Sequence, residues 1–364
     1  VTLGRRLGRV LVVGLLGLAV FATLGEIVAR SFDLVDRLNA FPRGLFVATD
    51  DEELPYRLRP GVDAIARGVR VTTNEHGMRG PSFSEVPAPG VHRILILGDS
   101  VAFGFRLELE DSFPLLLQRE LQRRTGQPFE VLNAGVEGYN SENQLALLER
   151  SGLGLRPETV VVAFNLNDFD FGPVMGPMGV LTLERDKRVA SWSLANLSEF
   201  YLLLRWLVAL GWQRAFGPTP PPPPPGDASS PFDPFDRYVS KLRKRYYAKP
   251  DDGRWQTMVD SLRGMAEVTR ARRIRLLVAI LPDGDQIGVA EPDLTPQQKL
   301  REVCADLGLD CLDLRPAFAE AAAAAGPLFM DIMHPNAAGH RLIADVLATA
   351  LLRGPGTTGD QGPR

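Results

Sequence analysis

The chain has 364 residues, 45% hydrophobic and 23% charged, and its 41 Lys and Arg against 44 Asp and Glu leave a formal net charge of −3. This composition excludes disulfide-dense, collagenous and wholly disordered classes, and it offers no global field to draw in a polyanion, so nucleic acid is not an expected partner. The length suffices for one domain with a full core, plus appendages.

From Val10 to Val28 the chain carries no charge apart from Glu26, a run of ~28 Å if helical and enough to cross a hydrocarbon core. Arg5, Arg6 and Arg9 precede it, so the positive-inside rule keeps the N-terminus cytoplasmic and sends the rest across. Residues 1–30 thus read as a single-pass membrane anchor with an extracytoplasmic domain behind it. A cleaved signal peptide and a buried soluble helix are the alternatives. Glu26 is expected near the far interface, within reach of water.

Residues 31–90 form a lead-in segment, in which 69–81 reads as a short strand and turn packed on the domain edge. Strand and helix signals then alternate. HRILILG (92–98), FEVLNAG (129–135), TVVVAFN (159–165), IRLLVAILP (274–282) and LDCLDL (309–314) read as strands, separated by helices near 112–124, 141–152, 255–265 and 298–308. Continuous apolar strands alternating with helices predict a parallel sheet covered on both faces. The expected fold is α/β: a flavodoxin-like, three-layer α/β/α domain over 91–352 with a parallel five-stranded sheet. A last helix is expected over 336–352, and for the helix near 112, Asp111 or Ser112 as cap, Pro114 in the first turn and Gly126 as terminator.

An insertion interrupts the pattern between 172 and 250, with a proline-rich spacer at 218–226. Before the spacer, the apolar segment 200–212 reads as a helix packed on the domain or as a membrane-interface or lid helix. After it, basic and tyrosine-rich 237–249 reads as a solvated face or a contact for anionic lipid or polysaccharide. The tail 353–364 is expected to be disordered. Cys304 and Cys311 match no zinc spacing, so no metal is expected; they either close a small disulfide loop or remain two buried thiols.

In an open parallel sheet, function gathers at the carboxyl ends of the strands. The first core strand runs into Gly98-Asp99-Ser100-Val101-Ala102-Phe103-Gly104, a strand-to-helix turn that exposes a serine. A serine hydroxyl needs a base to become a nucleophile. Of the 4 histidines, His334 stands apart, in Asp331-Ile332-Met333-His334-Pro335. A three-residue offset on a helical turn lets Asp331 take one imidazole nitrogen and leaves the other for Ser100. His76, His92 and His340 read as surface residues. Oxyanion donors are sought in the Ser100 N–H, in Gly135 of Asn133-Ala134-Gly135-Val136, and in the Asn167 side chain of Asn165-Leu166-Asn167-Asp168. Asp99 and Asp168 read as loop-bracing carboxylates.

These blocks together resemble the SGNH, or GDSL-type, hydrolase superfamily: GDSVAFG, NAGVEGY, NLND and DIMHP stand in that family's chain order. The resemblance implies Ser100 as nucleophile, Asp331 and His334 as the rest of a triad, and the Ser100 amide, Gly135 and Asn167 as the oxyanion hole. The asparagine block opens with Asn165 where the family usually has glycine, which makes Asn165 a second candidate donor. The implied activity is serine-dependent ester hydrolysis through an acyl-enzyme, without cofactor, on an acylated small molecule, lipid or glycan of the cell envelope. An O-acyltransferase using the same site, a non-catalytic envelope binding module and a mononucleotide binder using GDSVAFG as a phosphate loop are the competing readings.

Overall fold

Residues of the strands between 92 and 313 alternate between two apolar faces, and the computed structural model shows what covers each. It describes residues 2–32, 34, 44–66, 68–169, 174–175, 181–182, 198–201, 203–204, 207–208, 211, 240, 244, 246–249 and 253–354. The proline-rich spacer 218–226, most of the insertion 172–250, including parts of its segments 200–212 and 237–249, and the tail from 355 lie outside the described residues. The chain divides into two units, Val1–Leu45 with Val174–Thr219, and Phe46–Pro173 with Pro220–Arg364.

The first unit contains α1 (Thr2–Ser31) and a short antiparallel pair, Val174–Met175 with Leu181–Thr182. Within α1, Gly8–Ser31 is long and apolar enough to cross a membrane, and its most apolar stretch is exposed while Ala29 is buried. Glu26 does not simply reach water. Its carboxylate accepts from Ser198 Oγ at 2.8 Å and from the N–H groups of Glu199 and Phe200 at 3.1 and 3.0 Å, and it pairs with Arg30 at 2.6 Å. The otherwise orphaned first N–H groups of the helical turn starting at Glu199 are satisfied this way.

The second unit holds the sheet. Two hairpins precede it: β1 (Phe46–Ala48) with β2 (Tyr56–Leu58), and β3 (Asp63–Ala66) with β4 (Val69–Thr72). The sheet strands are β5 (His92–Gly98), β6 (Phe129–Gly135), β7 (Thr159–Phe164), β8 (Arg275–Ile280) and β9 (Asp310–Asp313), all parallel, in the order β9-β8-β7-β5-β6. The helices are α2 (Ser100–Phe103), α3 (Phe113–Thr125), α4 (Ser141–Arg150), α5 (Gly253–Arg270), α6 (Thr295–Leu307), α7 (Arg315–Ala325) and α8 (Ala337–Arg353).

The period of two along each strand sorts side chains between layers. Leu95, Leu97, Val160, Val162, Val278 and Ile280 meet Leu148 of α4, Met258, Leu262 and Met265 of α5, and Leu300 of α6. Ile94, Ile96, Val161, Leu277 and Ala279 meet Phe113, Leu117 and Leu121 of α3, Phe318 of α7, and Ile343 and Leu347 of α8. The structure is therefore the expected three-layer α/β/α fold with a parallel five-stranded sheet. It adds α7, which the sequence pattern did not announce.

Cys304 in α6 and Cys311 in β9 form a disulfide with their Cα atoms 6.3 Å apart. The lead-in segment does more than flank the sheet. Tyr56 is fully buried, donates its hydroxyl to the Glu137 carbonyl at 2.8 Å and packs edge-on against Tyr139 at 5.3 Å.

Two expectations about helix α3 and its neighbours need correction. His340 is a core residue, 1% exposed, because α8 lies against α3 and turns this side chain inward. The ring accepts the Phe113 N–H on Nδ1 at 3.0 Å and so takes the role expected of a capping side chain at 111 or 112. Ser112 occupies the N-cap position, but its hydroxyl donates to the Leu109 carbonyl instead, at 2.6 Å. Pro114 in the first turn and Gly126 at the end are as expected.

Candidate active site

At the carboxyl end of β5 the chain turns into the single-turn helix α2. Asp99 caps it, its Oδ1 accepting the Val101 N–H at 2.9 Å, and this turn presents Ser100 at the first helical position. Ser100 Oγ lies 2.9 Å from His334 Nε2. His334 Nδ1 faces both oxygens of Asp331, at 2.8 and 2.9 Å, so the ring hydrogen sits on Nδ1 and the lone pair of Nε2 faces the serine hydroxyl.

Asp331 and His334 are held together by a tight loop and not by the helical turn expected from their spacing. Asp331 Oδ1 accepts the N–H groups of Met333 and His334 at 3.0 and 2.9 Å. The Met330 N–H donates to the His334 carbonyl at 2.8 Å, and Phe329 bridges to Pro335. Burial pushes the Asp331 carboxyl up, but the bond and charge of His334 and the two backbone donors outweigh it and hold it below the usual aspartate value. The ring of Phe105 lies against the imidazole with centroids 4.4 Å apart, covering a face of His334.

Of the proposed oxyanion donors, the Ser100 N–H has no acceptor among the described residues. Gly135 differs from expectation: its N–H donates to Asn133 Oδ1 at 3.0 Å and is spent inside the strand end. The glycine is needed there for another reason. A Cβ at 135 would lie 2.5 Å from the Phe103 nitrogen and 2.6 Å from Ala102 Cβ, so its absence lets α2 pack directly on β6. Three residues on, Gly138 stands in a left-handed turn at φ 80°, and among the described residues its N–H meets no acceptor. The second glycine of NAGVEGY was in view in the sequence, but nothing local distinguished it from the first.

Asn165 is unsuited as a free donor. It is 1% exposed, and its amide donates to Asp99 Oδ2 at 3.2 Å. Asn167 is half-buried, its Oδ1 is enclosed without a partner among the described residues, and its amide also acts on Asp99. Burial raises the Asp99 carboxyl above its usual value, against the pull of the Val101 N–H, the His334 charge and the two asparagine amides. Asp99 thus braces the Ser100 turn to the end of β7. Asp168 accepts the Gln144 amide on Oδ2 at 2.8 Å and the Ser141 N–H on its carbonyl at 2.9 Å, tying that end to α4.

The rim is completed by the loop after β8 and by described residues at the end of the insertion. The Gly284 N–H donates to the Ile332 carbonyl at 2.6 Å, Ser240 donates to the buried Asp283 at 3.1 Å, and the Tyr247 hydroxyl donates to the Leu166 carbonyl at 3.2 Å. His92 pairs with Glu158 at 2.8 Å at the opposite end of β5, and His76 stacks on Phe83 at 4.3 Å in the lead-in segment; neither enters this constellation.

A family model for the GDSL-like lipase/acylhydrolase family matches residues 96–342, more than half of the chain. Over 76 residues the chain is 33% identical to an arylesterase of Vibrio mimicus, a stretch that makes up 21% of this chain and 38% of that protein. The match therefore spans under half of that relative's length. Among solved structures, the acetyl xylan esterase AlAXEase shares 18% identity at a TM-score of 0.40, over 71% of this chain and 99% of that chain. A catalytic mutant of the acetylxylan esterase Axe2 from Geobacillus stearothermophilus shares 14% identity at a TM-score of 0.43, over 71% and 93%. By the extent of the family match, the chain belongs to the GDSL-like lipase/acylhydrolase family.

Proposed function

We propose that this protein is a membrane-tethered, extracytoplasmic serine ester hydrolase in which Ser100 is the nucleophile, His334 the general base and Asp331 the group that orients and stabilises the imidazolium. The observation that carries this reading is the unbroken line of contacts from Ser100 Oγ through His334 to Asp331, at 2.9 and 2.8 Å. Ser100 Oγ attacks the ester carbonyl while its proton passes to His334 Nε2. The tetrahedral intermediate collapses, the alcohol leaves with that proton, and an acyl-Ser100 remains. Water, deprotonated by the same nitrogen, then releases the acid and restores the serine.

The Ser100 N–H, the Asn167 amide and the Gly138 N–H, which takes the place assigned to Gly135, serve the developing oxyanion. One such donor is worth about 2.7–4 kcal/mol in the transition state. No cofactor takes part. The apolar α1 and the Cys304–Cys311 disulfide both support an oxidising, extracytoplasmic setting beside a membrane, where acylated glycans or lipids of the envelope are the substrates at hand.

The test is acid release from short and medium acyl esters by the full chain in detergent, beside Ser100→Ala. Loss of turnover in the variant is expected. Equal turnover in both proteins, or none in either with esters and acylated oligosaccharides alike, refutes the proposal.

A further inference from the structure

Arg79 belongs to the lead-in segment and lies outside the residues matched by the family model, yet it is 1% exposed. Its Nη1 donates to the carbonyls of Phe103 and Gly104 at 3.0 and 2.6 Å, and its Nη2 to that of Leu107 at 2.5 Å. The guanidinium carbon sits 4.9 Å from the centroid of the Phe103 ring. Burial draws its pKa down to about 10, which still leaves it charged at neutral pH.

A buried cation costs several kcal/mol unless its surroundings repay it. Here the repayment comes mainly from carbonyl oxygens at the end of α2 and just after it, with the Arg70 carbonyl at 3.5 Å and the charges of Glu137, Glu108 and Glu110 adding to it.

The turn that delivers Arg79 is folded independently of the clamp. Asn74 Oδ1 accepts the N–H groups of His76 and Met78, each at 3.0 Å, and its amide donates to the Pro81 carbonyl at 3.0 Å. The stretch it holds, in contrast, is unfavourable on its own. Gly104 lies at φ 85°, and Arg106 lies at φ 58° with a side chain that disfavours this region. Between them Phe105 gives its N–H to the Ser100 carbonyl at 3.0 Å and its ring to His334 at 4.4 Å.

One guanidinium thus holds the chain on both sides of Phe105, beside the backbone bonds of Gly104 and Leu107. At Gly104 a Cβ would meet Arg79 Nη1 at 3.0 Å, so the clamp closes directly on the chain.

We propose that Arg79 is a positioning residue for the nucleophile turn: by fixing the Phe103, Gly104 and Leu107 carbonyls it sets Ser100 against His334 through Phe105. The inference rests on the reading of Ser100 as nucleophile. Lysine can reach only part of the three carbonyls, and alanine none. A displacement of about 1 Å at a catalytic pair costs on the order of a hundredfold in rate.

The test uses the full chain in detergent, with Arg79→Lys, Arg79→Ala and Ser100→Ala, ester kinetics, the rate at which a fluorophosphonate labels Ser100, and circular dichroism to score folding. Expected are a kcat lower by about tenfold in Arg79→Lys and about a hundredfold in Arg79→Ala, KM within about twofold, labelling slowed in parallel, and partial rescue of Arg79→Ala by millimolar guanidinium. A folded variant with wild-type kcat and labelling overturns the proposal, as does a loss confined to KM. If neither variant is recovered folded, the proposal is also overturned, because the guanidinium then serves the fold alone. A folded Arg79→Ala with wild-type kcat beside an inactive Ser100→Ala removes only the role of Arg79; an active Ser100→Ala removes both readings.

Discussion

Acid should find a weak point at His340. In the unfolded chain this imidazole takes a proton near pH 6.5, whereas in the folded protein burial, together with the positive charges of His334 and Arg79, delays protonation to about pH 3. Between those values the unfolded state binds more protons, so stability is complete above about pH 7 and declines as the pH falls. For this shift the loss at pH 5 is about 2 kcal/mol, and it approaches about 4–5 kcal/mol near pH 3. In a domain of this size about 2 kcal/mol lowers Tm by roughly 4–8 °C.

The comparison is between wild type and His340→Asn, which keeps an acceptor for the Phe113 N–H and removes the titration. Thermal unfolding of the full chain in detergent at pH 7.5 and pH 5 should show the wild-type Tm falling by that much more than the variant's. Carboxylates titrating lower down act on both proteins and cancel. Parallel pH dependence in the two proteins would refute the argument that a neutral, buried His340 holds α8 to α3.

Further outcomes follow from the site geometry. Asp331→Asn should fold normally and lower kcat by on the order of 10³–10⁴-fold, because an amide facing Nδ1 favours the tautomer whose Nε2 carries the hydrogen and cannot accept from Ser100; steady-state kinetics check this, and a loss under tenfold would deny Asp331 its part. Gly135→Ala, which places a Cβ 2.5 Å from the Phe103 nitrogen, should cost about 1–3 kcal/mol in urea unfolding and shift α2 with its serine.

Much of the fold could be read directly because the sheet is buried on both faces. HRILILG, TVVVAFN and IRLLVAILP are continuous apolar runs, and only a parallel strand between two helical layers uses such a run in full. The order of the strands was open at that stage, since it depends on which crossovers pass over which face. Helix α7 escaped notice because RPAFAEAAAAA places alanine where a periodic stripe of larger residues would be, and Phe318 alone fills the core.

The triad candidates were legible because GDSVAFG, NAGVEGY, NLND and DIMHP stand in one order at strand ends, a coincidence that no single block would exclude. Gly135, His340 and Arg79 were misread or passed over for a common reason: each acts through a neighbour distant in sequence. The donor role of Gly135 is cancelled by Asn133, His340 completes the first turn of α3, and Arg79 serves a stretch beyond β5. No window of a few residues contains such pairs.

Ser100 and His334 are 234 residues apart along the chain, the first just past a central strand and the second ahead of the last helix. During synthesis, which proceeds at about 5–20 residues per second, Ser100 therefore emerges well before the histidine proposed as its base. For many seconds the nascent chain carries a hydroxyl of ordinary reactivity, harmless to esters around it. On the proposed reading, hydrolytic competence arises only when the loop that carries His334 joins the sheet, so a segment made long after the serine is the one that arms it.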